Sequence, residues 1–509
     1  MKFLLRYILA IAFIVIASTS AQAADNLITQ QITIKLDKAG TLPNRIGSTK
    51  KYLITNLKII GEINGTDMRM IRDMAGRRDL QYDEGNTTLG KLSFLDLSEA
   101  KIVKGGDYYI YSSDTFPHDY YTQDNELGSY TFRNCSGLTS VKIPSNVTSI
   151  GWYAFSDCSG LTSITIPSSV TYIGEHAFEN CSGLTSVTIP SSVTKIGVKA
   201  FACCSGLTSL AIPSSVTKID NYAFYGCTGL TSVTIHSSVT EIGGCAFCGC
   251  TGLTSLNIPS SKIGQSAFQG CSGLTSVNIP SSVTYIGWYA FQGCSGLTSV
   301  TIPSSVTEID GAFSGCSGLT SVNIPSSVTD ISGAFSGCTG LTSVTIPSSV
   351  TDISGAFACC TGLTSVTIPP SVTNISEAFS GCTGLTSVTI PSSVTDIRAA
   401  FSGCTGLTSV YVNWQSPISA KNTFDRVDKS KCVLYVPQGT YQDYFLADEW
   451  GDFDNIVEYD PTGINSVNVS SDTKEVSRYS MDGQLLSAPT KGVNIVKYSD
   501  GSVKKVTVK

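Results

Sequence analysis

Apolar residues recur along the middle of the chain in a fixed order. In the run Leu161-Thr-Ser-Ile-Thr-Ile166, apolar and polar residues alternate, and this pattern predicts a short β-strand with its Leu and Ile side chains facing inward. Pro167 ends the strand, because proline has no N–H to donate to a ladder. Val170, Ile173 and the Ala-Phe pair at 177–178 add further apolar positions. The pattern therefore predicts that each such unit forms one coil of a larger structure.

A cysteine at the same place in every unit fixes the period. Thirteen of these marker cysteines follow one another at intervals of 21 to 23 residues. A period of this length is typical of repeat proteins, in which each coil buries a face of its neighbour and cannot fold alone. The short intervals arise from deletions near Ile258 and after Ile309, and both spare the strand. The marker cysteines are Cys135, Cys158, Cys181, Cys204, Cys227, Cys250, Cys271, Cys294, Cys316, Cys338, Cys360, Cys382 and Cys404.

The repeated phrase is Ser/Thr-Gly-Leu-Thr-Ser-Val-x-Ile-Pro-Ser-Ser-Val-Thr-x-Ile-Gly-x-x-Ala-Phe-x-x-Cys, in 13 units over residues 129–412. It resembles the BspA-like leucine-rich repeats of secreted and surface proteins from host-associated bacteria. This resemblance implies a β-rich solenoid, a right-handed curved coil with a parallel sheet on its concave face. It also implies adhesion to extracellular proteins of a host or of other bacteria, without catalysis. A structural surface spacer and a glycan-binding module are the alternative functions.

The chain divides into five predicted segments. Residues 1–23 contain Lys2 and Arg6, a short apolar run and a final Ala-Gln-Ala, which are typical of a cleaved signal peptide. No run in the remaining chain reaches the roughly 20 apolar residues of a membrane-spanning helix, so we expect no transmembrane span after cleavage. The other segments are a capping region (24–128), the repeats (129–412), a terminal cap (413–460) and a β-type segment (461–509).

The last segment changes character from the repeats. Short alternating runs separated by Asp482-Gly483 and Asp500-Gly501 predict a small antiparallel β unit. This segment resembles the C-terminal sorting domain of type IX secretion, which implies export to the outer-membrane surface or to the outside of the cell. An accessory β tail is the alternative.

Composition excludes several function classes. Only 14% of the residues are charged, the net charge is -6, and no clustered Lys/Arg footprint for nucleic acid appears. The chain has three His, and none of the common hydrolase, metalloprotease or phosphate-loop motifs occurs. We therefore expect no enzyme, no cofactor and no metal, and the sequence leaves the oligomeric state open.

The 18 cysteines have two possible roles. Disulfides persist in exported proteins, but the marker cysteines occupy one repeat position and would stand about 4.8 Å apart, beyond the roughly 3.5–4.5 Å between the Cβ atoms of a bridge. We expect a ladder of buried free thiols. Cys245 and Cys248 form a C-x-x-C motif, for which a local disulfide and a metal site are alternatives. The redox state is left open for Cys203, Cys245, Cys248, Cys359 and Cys432.

Candidate binding residues lie where the repeats vary. Aromatic and basic residues fill these positions in the earlier repeats and acidic residues fill them in the later ones. Exposed Trp and Tyr are enriched at binding hot spots. Shielding of the coil edges is the alternative role for them. The candidates are Trp152, Tyr153, Tyr172, Tyr222, Trp288 and Tyr289.

Overall fold

The computed structural model describes residues 27–76, 90–110, 120–461, 475–480, 484–498 and 503–508. The predicted signal peptide and both Asp-Gly pairs of the last segment lie outside the described residues. The chain forms two compact units, Met1–Ser349 and Val350–Lys509. Within the described ranges, no helix has the length and apolar character needed to cross a bilayer.

The first unit contains the predicted parallel sheet. Strand Ser163–Thr165 pairs in register with its equivalents in the coils before and after it, so that identical repeat positions become neighbours. The strand is shorter than the predicted run, because the N–H of Leu161 closes a turn onto the carbonyl of Cys158. The repeat strands are Ser140–Lys142, Ser163–Thr165, Ser186–Val187, Ser209–Ile212, Ser232–Ile235, Ser255–Asn257, Ser276–Asn278, Ser299–Thr301 and Ser321–Asn323.

A second row of parallel strands lies at the x-Ile position of each coil, where the sequence analysis predicted none. Each strand has only two residues, too few for the alternation that reveals a strand in a sequence. Its Ile is buried and the residue before it lies at the surface. The strands are Glu126–Leu127, Ser149–Ile150, Tyr172–Ile173, Lys195–Ile196, Lys218–Ile219, Glu241–Ile242, Lys262–Ile263 and Tyr285–Ile286.

Stacked phenylalanine rings form the centre of the first unit. The rings of Phe155 and Phe178 lie 5.1 Å apart and 4° from parallel, and the same contact recurs from Phe132 to Phe335. The ten marker cysteines of this unit, from Cys135 to Cys338, are buried as well. Stacking of identical coils thus builds a continuous apolar core from side chains that no single coil could bury.

Hydroxyl groups join each coil to the one before it. Thr162 donates its hydroxyl to the carbonyl of Thr139 at 2.9 Å, and Ser169 donates to Val147 at 2.6 Å. Equivalent bonds recur in most coils. Gly160 allows the close approach, because a Cβ there would lie 2.2 Å from the carbonyl oxygen of Ser136. The repeated Ser, Thr and Gly of the unit therefore serve the stacking of the coils.

Strands of the predicted N-terminal capping region extend the same sheet. Ile32–Leu36, Asn56–Ile63 and Phe94–Ile102 precede Ser140–Lys142 in its strand order. Buried Asp67, in the helix Gly65–Met74, accepts N–H bonds from Gly40, Leu42 and Asn64 at 2.6, 2.9 and 3.0 Å. The region also contains the helix Leu42–Ile46, the 3-10 turn Lys50–Tyr52 and the antiparallel strands Gly105–Ile110 and Tyr120–Thr122.

The second unit has a parallel sheet of its own. Its Phe rings form a continuous stack from Phe357 to Phe424, with neighbouring ring centres 5.6–5.8 Å apart. Buried Trp450 meets the last of these rings edge-on at 5.4 Å and closes this core. The sheet consists of Ser365–Thr367, Ser387–Ile390, Ser409–Val412, Val433–Pro437 and Asn455–Tyr459, with the helix Tyr441–Leu446 between its last two strands.

An antiparallel sheet follows in the last segment. Its strands are Glu475–Tyr479, Leu485–Leu486, Gly492–Tyr498 and Val503–Val508. Arg478, which is almost fully buried, holds the carboxylate of Glu475 at 2.7 Å and the amide oxygen of Asn494 at 3.1 Å. The predicted fold class, a β-rich repeat solenoid with a parallel sheet, is confirmed.

Candidate binding surface

One position of each coil brings a side chain to the surface from an unusual backbone conformation. This is the residue two places before the core Phe, and its φ is positive: 54° at Tyr153 and 57° at His176. The neighbouring coil fixes this conformation, since the N–H of Tyr153 donates to the carbonyl of Glu175 at 3.1 Å. In five consecutive coils the position is occupied by Tyr130, Tyr153, His176, Lys199 and Tyr222.

The first three of these side chains form a stack, which we call the aromatic column: Tyr130, Tyr153 and His176. The rings of Tyr130 and Tyr153 lie 5.0 Å apart and 10° from parallel. The imidazole of His176 lies 4.3 Å from the ring of Tyr153 and 12° from parallel. Both faces of Tyr153 are therefore covered, and its ring edge and hydroxyl are what it can offer to a partner.

Charged groups flank the aromatic column. The guanidinium of Arg133 lies over Tyr130 at 5.5 Å and over Tyr153 at 5.4 Å. On the other side, the Nδ1 atom of His176 is 2.8 Å from a carboxylate oxygen of Glu179. Burial raises the pKa of Tyr153, the nearby Tyr130 and Glu179 raise it further, and Arg133 opposes them. Tyr153 therefore remains a neutral phenol at physiological pH, able both to donate and to accept a hydrogen bond.

Three other predicted candidates lie in the same group of coils as the aromatic column. Trp152 is 52% exposed and directly precedes Tyr153. Tyr172 lies in the second row of strands, with the ammonium of Lys195 over its ring at 5.6 Å. Tyr222, which is 38% exposed, contacts the ring of Tyr225 edge-on at 5.9 Å.

Two other candidates lie far from the aromatic column. Trp288 and Tyr289 are 58% and 42% exposed and occupy a turn six coils further along. At ~4.8 Å per coil, they lie roughly 29 Å from Trp152. The ring of Tyr289 covers the next coil, where a Cβ on Gly311 would lie 2.6 Å from it. The structure therefore divides the predicted residues into two separate surfaces.

Sequence reasoning missed four residues of the first surface. They are Tyr130, Arg133, His176 and Glu179, which complete the stack and its charges. A signal for two of them was present, because Tyr130 and His176 occupy the same repeat position as Tyr153. In a stacked solenoid, equal repeat positions become neighbours.

The acidic positions of the later coils form hydrogen bonds with one another and with the backbone. In the second unit, Asn374 donates to a carboxylate oxygen of Asp352 at 2.9 Å, and Arg398 holds Asp396 at 3.0 Å. An open cleft of about 340 Å³ lies beside them. No three His, Cys, Asp or Glu side chains of the described residues converge as metal ligands. The cleft is lined by Ser354, Gly355, Asn374, Ser376, Glu377 and Arg398.

The sequence model of one protein family, the BspA type leucine rich repeat region, matches the chain in six copies over residues 125–254, 195–316 and 310–431. These matches together cover more than half of the 509 residues. The chain belongs to the BspA-type leucine-rich repeat family. No curated protein matches it.

Solved structures of leucine-rich repeat proteins are similar to this chain. A leucine-rich repeat protein from Bacteroides ovatus is 28% identical, with 68% of this chain and 90% of that chain covered and a TM-score of 0.56. A leucine rich cell surface protein from Faecalibacterium prausnitzii is 33% identical, with 59% and 86% covered and a TM-score of 0.42. The first of these similarities supports the solenoid fold found here.

Proposed function

We propose that this BspA-type repeat protein is exported to the outer-membrane surface or the extracellular medium and there binds an extracellular protein. The binding surface is the aromatic column with Trp152 and Arg133. Two features of the sequence support export: the signal-peptide pattern of residues 1–23 and the likeness of residues 461–509 to a type IX sorting domain. The partner belongs to a host or to another bacterium, and it is bound without chemical change.

The observation that carries this proposal is the backbone conformation under the aromatic rings. A positive φ costs a residue with a Cβ roughly 1–2 kcal/mol. Gly311 and Gly333 occupy the same position in later coils with φ of 61° and 63°, so the fold itself does not need a ring there. Residues held in sparsely populated regions of φ and ψ cluster at functional sites. The rings at Tyr153 and His176 are therefore best explained by contact with a partner.

The chemistry of the column favours a protein over a sugar as the partner. A sugar ring binds best against an open aromatic face, but both faces of Tyr153 are covered by its neighbours. Tyrosine, arginine and tryptophan, present here as Tyr153, Arg133 and Trp152, are instead enriched at protein–protein interfaces. On this surface, a glycan would have to bind on Trp152 itself.

A set of matched variants tests the proposal. The column variant carries Tyr130→Ser, Tyr153→Ser and His176→Ser, since Ser266 holds the same position with φ of 54°. The control is Tyr285→Lys, an exposed tyrosine outside the column whose neighbour in the strand row is Lys262. A third variant, Trp288→Ala with Tyr289→Ala, tests the second predicted surface.

The purified chain from residue 24 onward is screened against matrix proteins, mucins and glycans. We expect saturable binding to a protein, lost at least tenfold in the column variant and retained in the Tyr285→Lys control. Binding that survives in the column variant would contradict the proposed surface. A folded chain that binds nothing in the screen would favour a structural spacer, and binding to glycans alone would favour the glycan-binding alternative.

A further inference from the structure

A tight turn brings two half-exposed cysteines together on the surface of the first unit. In Cys245-Ala-Phe-Cys248, the N–H of Cys248 donates to the carbonyl of Cys245 at 3.2 Å, while the two residues between them are buried. The ends of such a turn have Cα atoms less than about 7 Å apart, which matches the roughly 4.4–6.8 Å span of a disulfide. The main chain therefore holds the two cysteines at bridging distance.

The side chains of the pair also lie near each other. The thiol of Cys248 donates to the amide oxygen of Gln269 at 3.8 Å, and it lies close enough to Cys245 for the two groups to interact electrostatically. The phenol of Tyr222, in the preceding coil, also lies close enough to Cys245 to interact with it. No marker cysteine is exposed in this way, because all of them are buried.

We propose that Cys245 and Cys248 are a modification site, a dithiol that exchanges reversibly with small extracellular disulfides such as cystine or oxidised glutathione. An exchange of this kind needs two reachable thiols and an external disulfide as the oxidant. The site requires no residue of the aromatic column, so it stands independently of the proposed binding function.

The exchange takes place in two steps. The thiolate of Cys245 attacks one sulfur of the external disulfide, whose S–S bond breaks and releases one small thiol. Cys248 then gives up its proton and attacks the sulfur of Cys245, which expels the second small thiol. Overall, the pair loses two protons and two electrons, and the external disulfide gains them as it becomes two small thiols. Burial, and to a smaller extent the neighbouring Cys245, raises the pKa of the Cys248 thiol to about 11. Cys248 is therefore slow to form the thiolate that attacks, and we assign the first attack to Cys245.

Two other accessible cysteines provide an internal comparison. Cys203 is half-exposed and its sulfur lies against Gly226, while Cys359 is exposed and its sulfur lies against Gly381. The cysteine next to each of them along the chain is a buried marker cysteine. Each of these two sites should therefore stop at the mixed disulfide.

The experiment treats the folded full-length chain with oxidised glutathione and maps its peptides by mass. We expect the Cys245–Cys248 peptide to lose two hydrogens and to carry no glutathione, and the peptides of Cys203 and Cys359 to carry glutathione. Dithiothreitol should restore both thiols of the pair. A stable glutathione adduct on the pair, or two thiols that remain unmodified, would overturn the proposal.

Two single variants separate the steps without disturbing the turn. Ser266 and Gln269 occupy the equivalent positions in the next coil, so Cys245→Ser and Cys248→Gln should fold. In Cys248→Gln, Cys245 should retain glutathione as a stable adduct. In Cys245→Ser, glutathione attachment at Cys248 should be at least tenfold slower. An intramolecular disulfide in either variant, formed with another cysteine, would overturn the assignment of the pair.

Discussion

The thiol of Cys181 donates a hydrogen bond to the main-chain carbonyl of Phe155 in the preceding coil, with 3.1 Å between sulfur and oxygen. Cys158 bonds to Phe132 in the same way at 2.9 Å. The ladder thus supplies a small apolar group and a donor at the place where two coils meet. This double role explains a cysteine at the same place in every unit without disulfides.

Replacing Cys181 with alanine should therefore destabilise the chain. The variant leaves a small cavity and removes one partner of a buried carbonyl, which together cost about 1–3 kcal/mol. The urea midpoint of unfolding, followed by circular dichroism, measures this loss. The control is Cys359→Ala, at an exposed site, with an expected change within about 0.5 kcal/mol. Equal midpoints for the two variants would show that the ladder bond does not stabilise the fold.

Alkaline pH should weaken the fold through the same thiols. Burial raises the pKa of Cys316 from 9.0 to about 12. Between these values the unfolded chain releases a proton that the folded chain keeps, so this thiol's contribution to stability is complete below pH 9 and falls as the pH rises towards 12. Cys227 and Cys271 behave in the same way.

The test compares the wild type with Cys316→Ala in urea titrations between pH 9 and 11, the lower part of that window. Removing one titrating thiol should lessen the loss of unfolding free energy by about 1.4 kcal/mol per pH unit. Parallel pH profiles for the two proteins would mean that Cys316 ionises alike in the folded and unfolded chains.

The period of the sequence predicted the solenoid, since apolar residues at fixed intervals have few other ways to be buried. It did not predict the second row of strands or the positive φ at Tyr153, because both arise only when one coil contacts the next. The candidate surface was likewise predicted only in part from the sequence. Trp152 and Tyr153 stood out as aromatic residues at variable positions, whereas the roles of Tyr130 and His176 depend on the stacking of equal positions.

The Gly before the Leu of each unit should resist substitution more than the Gly before the marker cysteine. A Cβ on Gly183 would lie 2.5 Å from the carbonyl oxygen of Ser159, so alanine must push the two coils apart. Overpacking of this kind costs roughly 1–3 kcal/mol. Gly249 has φ of 75°, and Asn180 holds the equivalent position with φ of 61°.

Gly183→Ala and Gly249→Asn are therefore compared by urea unfolding. We expect a clear loss of stability for the first and a change within about 0.5 kcal/mol for the second. A Gly249→Asn variant that is the less stable of the two would reverse the order predicted from the approach of the coils.

The exposed hydroxyls of the repeat sheet should prove partly structural. Thr231, directly before the strand Ser232–Ile235, donates its hydroxyl to the carbonyl of Thr208 at 3.0 Å, whereas Thr234 within that strand makes no side-chain hydrogen bond to any described residue. Valine has the shape of threonine and suits a strand equally well. Thr231→Val should therefore cost about 0.5–1.5 kcal/mol in urea unfolding, and Thr234→Val should cost almost nothing.

The comparison also bears on function, because a hydroxyl bonded to the neighbouring coil is less available to a partner than one open to water. If Thr231→Val left stability unchanged, the whole hydroxyl row would be free to contact a ligand, and the sheet would compete with the aromatic column as the binding surface. A loss at Thr231 alone would confine the free hydroxyls of this strand to positions such as Thr234. The aromatic column, whose rings also stack between coils, would then remain the candidate binding surface.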